Sequence, residues 1–242
     1  MKKVLSILCV ALLFTSSFSA IAKTEITISS SKRADDRDVR NFNGVAAGGP
    51  INVVITLGNT ESCRLEGDAE ALETLITEVK GNILIIRPQN SWKSWERKYE
   101  NKEITAYVTT KSLKSLTMSG SGSMVVNGAV NSKDLSATLS GSGSIKATAD
   151  VDNFTGVISG SGNLTVSGKA DDATITLSGS GTFAGRGFSV NDLSTQVSGS
   201  GTVNIKADRK IDAVISGSGN VNYSGNASVD KTVVGSGKVR KI

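Results

Sequence analysis

The amino-acid sequence predicts an all-β chain wound as a parallel β-helix, a β-solenoid with coils of about nineteen residues. Three observations carry that prediction. A Ser-Gly-Ser-Gly marker stands at Ser119 to Gly122, Ser140 to Gly143, Ser159 to Gly162, Ser178 to Gly181, Ser198 to Gly201 and Ser216 to Gly219, with a degenerate copy at Val234 to Gly237; the intervals are 21, 19, 19, 20, 18 and 18 residues. Such a period identifies one supersecondary unit stacked on its neighbours. Apolar residues keep register with the marker: Met118, Leu139, Ile158, Leu177, Val197, Ile215 and Val233 stand just before it, and Met124, Ile145, Leu164, Phe183, Val203, Val221 and Val239 stand five residues after its start. A flexible Ser/Gly linker has no reason to keep such columns. Finally, the rival sandwich of antiparallel hairpins needs two-residue turn signals, and Asn127-Gly128 is the only one inside the repeats.

In chain order, Lys2 and Lys3, an apolar run from Val4 to Phe14 and Ala20-Ile21-Ala22 have the layout of a secretory signal peptide, residues 1–22. The run is too short to span a bilayer, and no later segment approaches ~18 uninterrupted apolar residues. The expected mature chain is therefore exported to the periplasm, cell surface or medium and does not span a membrane. Residues 23–38 are polar and read as a leader. The domain proper is 39–242, divided into an N-terminal portion, 39–115, and the repeats, 116–242.

In the N-terminal portion, Val39 to Ala47 and Ile51 to Leu57 read as strands broken at Gly48-Gly49-Pro50. Ser62 to Glu66 is a third. Asp68 is placed to cap a short helix that carries Leu72, Leu75, Ile76 and Val79 on one face and covers the end of the solenoid. Lys80-Gly81-Asn82 turns into a strand over Ile83 to Arg87, and Glu103 to Thr109 reads as another. In the repeats, period-two alternation means strands with one face buried. Glycine at each marker meets a corner that needs positive φ or close backbone approach, and the serines are placed to form hydroxyl ladders along the stack. Lys238, Arg240 and Lys241 guard the C-terminal edge.

Composition bounds the chemistry. The sequence has 27 basic and 22 acidic residues, a net charge of +5 that falls to +3 once Lys2 and Lys3 leave with the signal, which is no nucleic-acid footprint. There is no histidine, so Ser-His-Asp and Cys-His nucleophile systems and His-ligated metal sites are excluded. Cys63, the only cysteine after the signal, shares a strand face with Leu65 and reads as a small core residue. Asp134, Asp152, Asp172, Asp192, Asp212 and Asp230 recur near one corner, where a metal site or a polysaccharide-lyase-like centre would have to be built. Neighbouring lysines and the absence of a calcium-solenoid nonapeptide favour a solvated turn. No catalytic residue, cofactor site or metal site is assigned.

The segment that departs most from the pattern is Ser91 to Lys102, which interrupts regular strands and holds both tryptophans. Either these rings fold back as cover, or Trp92, Trp95, Arg97, Lys98 and Tyr99 form a partner-binding loop suited to a glycan or an envelope protein.

The pieces Val39-Arg40-Asn41-Phe42-Asn43-Gly44-Val45, Gly49-Pro50-Ile51-Asn52-Val53-Val54-Ile55, Leu65-Glu66-Gly67-Asp68, Ile83-Leu84-Ile85-Ile86 and Leu113-Lys114-Ser115-Leu116, followed by the Ser-Gly-Ser-Gly corners, resemble in their order a bacterial family named for an auto-transporter adhesin head, the GIN domain. The resemblance implies secretion and a right-handed β-helix, and it brings no catalytic residues. The expected function is a non-enzymatic envelope or surface protein serving adhesion or another interaction. The alternatives are a β-helix carbohydrate-active enzyme and a purely structural envelope component.

Overall fold

Stacked coils meet the backbone hydrogen-bonding demand of a chain this rich in β-branched and small residues, because every N–H and C=O of one coil faces the coil above or below. In the computed structural model, which describes residues 32–90, 97 and 102–242, sixteen strands join into a single sheet that winds through the stack, and one short helix packs against its N-terminal end. The N-terminal portion holds β1 (Lys32–Arg37), β2 (Gly44–Gly48), β3 (Asn52–Leu57), β4 (Ser62–Asp68), α1 (Ala69–Glu73), β5 (Leu75–Lys80), β6 (Ile83–Pro88) and β7 (Ile104–Thr110). The repeats follow as β8 (Ser115–Gly120), β9 (Ser123–Gly141), β10 (Ser144–Gly160), β11 (Asn163–Gly179), β12 (Thr182–Gly199), β13 (Thr202–Gly217), β14 (Asn220–Ser224), β15 (Ser228–Gly235) and β16 (Lys238–Lys241).

From β8 onward all pairing is parallel, each strand taking the next coil as its partner, as in Ile145 beside Leu164 and Ile158 beside Leu177. Both apolar columns are sealed from Met118 and Met124 to Ile215 and Val221. Between corners the inward positions follow in steps of two, Ile145, Ala147, Ala149 and Val151 in β10, until Asp152 and Asn153 both face solvent and turn the coil. Three phenylalanines fill the middle of the stack, Phe154 lying 6.1 Å from Phe183 and 5.2 Å from Phe188 between ring centroids. Glycine makes room for them: a Cβ on Gly156 would stand 3.1 Å from the Phe154 ring. The unequal repeat spacing is absorbed by bulges. Asn127-Gly128, the lone hairpin-type signal, is one of them, and it shifts register between β9 and β10.

Each marker divides its two glycines between two tasks. Gly160 has φ of +119°, a conformation that disfavours a side chain. Gly162 has ordinary φ, but a Cβ there would lie 2.6 Å from the Gly143 carbonyl oxygen of the preceding coil. Backbone bonds hold the corner, with the Gly162 N–H donating to Gly141 O at 3.0 Å. The expected ladder of serine hydroxyls does not form: Ser142 and Ser161 point outward, and it is their backbone N–H groups that reach the coil before.

The N-terminal end departs from a simple spiral. The β2–β3 coil, early in sequence, lies inside the stack, with β8 and β9 on one side and β6 and β7 on the other. Gly49 thereby becomes the first corner, its N–H donating to Ser119 O at 2.7 Å and its carbonyl accepting from Gly122 N–H at 3.1 Å. Beyond β6 and β7 the pairing turns antiparallel, β5 on β6 and β4 on β7.

Two expectations are corrected here. The helix ends at Glu73, and Leu75, Ile76 and Val79 lie in β5, where a run containing Ile76, Thr77 and Val79 pairs with β6 across the Gly81-Asn82 turn, both residues having positive φ. The cap itself forms as expected, with Asp68 accepting from the Ala71 N–H, and Ala71 and Leu72 are fully buried. Within the polar leader, Lys32–Arg37 is an ordered strand, β1, antiparallel to β4. Its charges suit an outer edge, since they deter further strand addition.

The C-terminal edge is guarded differently from the sequence reading. Lys238 and Arg240 face outward beside Asn220 and Asn222, whereas Lys231 and Lys241 occupy inward columns, continuing from Ala213 and Tyr223. Charges at core positions make the last coil a poor template for another strand. Replacing both Lys231 and Lys241 by Val is expected to produce larger species than the parent protein at equal concentration in size-exclusion chromatography; unchanged elution rejects the guarding role.

Candidate functional site

The end capped by α1 is where the repeat gives way. Every coil from β2–β3 onward passes from one side to the other through a glycine corner, but between β6 and β7 that corner is replaced by residues 89–103. Both ends of this connection are tied down. The Gln89 N–H donates to Thr74 O at 2.8 Å, and Lys102 Nζ lies 2.7 Å from Asp68 Oδ2. Asp68 Oδ1 meanwhile accepts from the Ala71 N–H at 3.2 Å, so one carboxylate joins the helix cap to the base of the connection. The hydrogen bond from Lys102 holds the Asp68 carboxyl below its usual range, against the opposing effect of burial. Of the sequence-derived binding residues, Trp92, Trp95, Lys98 and Tyr99 lie outside the described residues, and Arg97 is exposed.

Beside this base, on the outer face of β1, β4 and β7, is a concavity of about 340 Å³. Ala34 and Thr105 line it with small side chains and Gly67 with bare backbone, and Lys32, Arg33, Glu66, Glu103 and Tyr107 supply its functional groups. Gly67 is required there, because a Cβ would stand 2.6 Å from Glu103 O. Tyr107 is 44% exposed, unusual for an aromatic residue among the described residues. In register it lies between Arg64 and Val54. Arg64 pairs with Glu66 at 2.9 Å and Arg33 with Glu73 at 3.3 Å. Sequence reasoning passed over Tyr107, although the signal was present: Ile104, Ala106 and Val108 alternate inward, which turns Tyr107 out.

The acidic corner is not a column of carboxylates. The stack there reads Asp134, Asn153, Asp172, Asp192, Lys210, while Asp152 falls outside that register and Asp212 stands beside Ser194. Unequal coil lengths slide the aspartates out of line. Most of them have partners: Asn153 Nδ2 donates to Asp134 at 2.8 Å, Arg209 grips both oxygens of Asp192, and Lys210 lies 3.0 Å from Asp212, which stands beside Asp230 in register. The Arg209 hydrogen bonds hold the Asp192 carboxyl below its usual range. Among the described residues, no group of three or more potential His, Cys, Asp or Glu ligands comes together.

The profile of the family described as "putative auto-transporter adhesin, head GIN domain" matches residues 41–227. The chain belongs to this GIN family. Crystal structures of similar fold include a protein described as a putative adhesin from Bacteroides fragilis (TM-score 0.79, 20% identity, covering 88% of this chain and 98% of that one) and one described as a putative lipid binding protein from Parabacteroides distasonis (0.70, 20%, 88% and 98%). A third, described as a putative adhesin from Parabacteroides merdae, has a TM-score of 0.65 at 18% identity, covering 88% and 97%. At these identities the likeness concerns the fold alone. No curated protein matches the chain.

In this GIN domain Cys63 is buried beside the same core as Leu65, and burial pushes its thiol up to about 12. It is expected to resist alkylation by iodoacetamide at about pH 8 in the native state and to react once denatured, because the thiolate is the reactive form; equal rates in the two states contradict this placement. Asp68→Ala is expected to lower stability by about 1 kcal/mol through loss of the cap. Since the folded-state carboxyl is held low, that contribution is complete above the ordinary carboxylate range near pH 4 and fades as pH falls through the lowered value. Denaturant melts of both proteins at about pH 7 and about pH 2.5 check this, and a gap that stays constant speaks against the Lys102 pairing.

Proposed function

We propose that the protein is an exported, non-enzymatic interaction module of the bacterial envelope or surface, with its binding surface at the capped end and the solenoid as a rigid stalk. The single observation behind this reading is the placement of the interruption: residues 89–103 replace a structural corner at one position, and their base is pinned through Asp68. Departures from a regular scaffold are where recognition is usually carried. The adhesin descriptions of the family and of two fold relatives support the same class. The acidic corner, where an enzyme reading would reside, has Asp134, Asp192 and Asp212 engaged by Asn, Arg and Lys partners.

Immobilised full-length protein is expected to capture a component from envelope extracts or surface polysaccharide, without releasing any cleaved product detectable by mass spectrometry. The double substitution of Trp92 and Trp95 by Ala is expected to abolish that capture if these rings form the contact. Capture unchanged in the double variant moves the contact off the tryptophans, and product release overturns the non-enzymatic reading.

A further inference from the structure

The concavity beside Tyr107 has the chemistry of a ligand subsite rather than of a structural seam. Seams in this molecule are closed by backbone ladders and aliphatic columns, yet here an aromatic ring stands exposed on the outer face of a paired antiparallel sheet. Resting on the reading of the protein as an interaction module, we propose that this concavity binds a neutral sugar ring stacked against Tyr107.

A volume of about 340 Å³ is near the lower end of small-ligand sites, enough for one or two sugar rings and too small for a drug-sized apolar ligand to be enclosed. Tyr107 offers a flat face to the C–H edges of a pyranose and keeps its hydroxyl free, since no hydrogen bond within the described residues occupies it. Charge selects within the saccharides. Arg33 and Arg64 are each already paired with a glutamate, which leaves Lys32 and Glu103 as one ammonium and one carboxylate without an ion-pair partner among the described residues. One donor group and one acceptor group, balanced in charge, match hydroxyls that both donate and accept, whereas a charged sugar would be attracted by one of the two and repelled by the other. The antiparallel ladders hold the backbone of Tyr107 in β7 against β4 and that of Lys32 in β1 against β4 before a ligand arrives, which limits the ordering cost of binding.

The test is a glycan array probed with the full chain, carrying neutral hexose and N-acetylhexosamine oligosaccharides alongside sialylated and sulfated ones, followed by titration calorimetry on any neutral glycan retained. Tyr107→Ala is expected to weaken that glycan about tenfold, the scale of a lost stacking contact, while Tyr107→Phe keeps affinity close to the parent because the face is preserved. Thr105→Lys, which fills the concavity from an outward position without touching the core, is expected to abolish binding while leaving the melting temperature unchanged. It also serves as the reporter if Tyr107→Ala fails to fold. A neutral glycan held equally by the parent, Tyr107→Ala and Thr105→Lys overturns the site. Retention of acidic glycans alone overturns the ligand class. Capture of an envelope protein with no glycan overturns this proposal and leaves the interaction module standing, whereas no capture from any source removes both.

Discussion

The approach of one backbone to the next at the glycine corners is the constraint on which the molecule depends. Parallel strands stack at ~4.8 Å, and the chain must reverse direction within a few residues without leaving that spacing. At Gly162 the carbonyl of the coil before lies where a Cβ would be, and at Gly160 the backbone takes a sign of φ that side chains resist. An added methyl in such packed surroundings costs about 1–3 kcal/mol. Repeated through the stack, that cost would rival the ~5–15 kcal/mol by which a whole domain is stable. The marker is therefore a requirement of geometry, and the aliphatic columns contribute their burial only because the corners allow the coils to close up.

A stack so regular has ends, and the ends are treated unlike the middle. At one, α1 and the antiparallel strands cover the core, and β1, with its mixed charges, is the outermost strand among the described residues. At the other, the columns continue for one more coil with Lys231 and Lys241 in place of aliphatic residues. The capped end has irregular connections and an exposed aromatic ring; the open end has neither a helix nor an antiparallel partner. That asymmetry is the physical reason for locating recognition at the N-terminal end.

The parts of this fold that were legible in the sequence are those governed by local period. Met118, Ile158, Leu164 and Phe183 declare their burial because stacking repeats the same environment every coil, and Asp68 declares a cap because the bond it makes is three residues away. What stayed hidden depends on distant partners. Ile76 and Val79 fit a helical face as well as a strand, and β6 decides between them. Lys32–Arg37 looks like a solvated leader until β4 provides an edge. The aspartates form a column only if every coil has equal length, and the bulges at Asn127-Gly128 and in β12 break that equality. Tyr107 was readable from its alternation with Ile104, Ala106 and Val108, but its relation to Glu66 needed the antiparallel pairing.

The position of the β2–β3 coil has a further consequence. Most solenoids can grow by adding each new coil to the one just made, since neighbours in space are neighbours in sequence. Here Val53 and Ile55 acquire their two flanking strands from β7 and β9, segments that follow them by some fifty and seventy residues along the chain. Assembly at this end is thus a closure over long loops, slow in the way that non-local β pairing is slow. The regular coils beyond β9 can zip from their own nucleus. The chain joins two folding regimes in one sheet, with the slow one at the end that carries the exposed tyrosine.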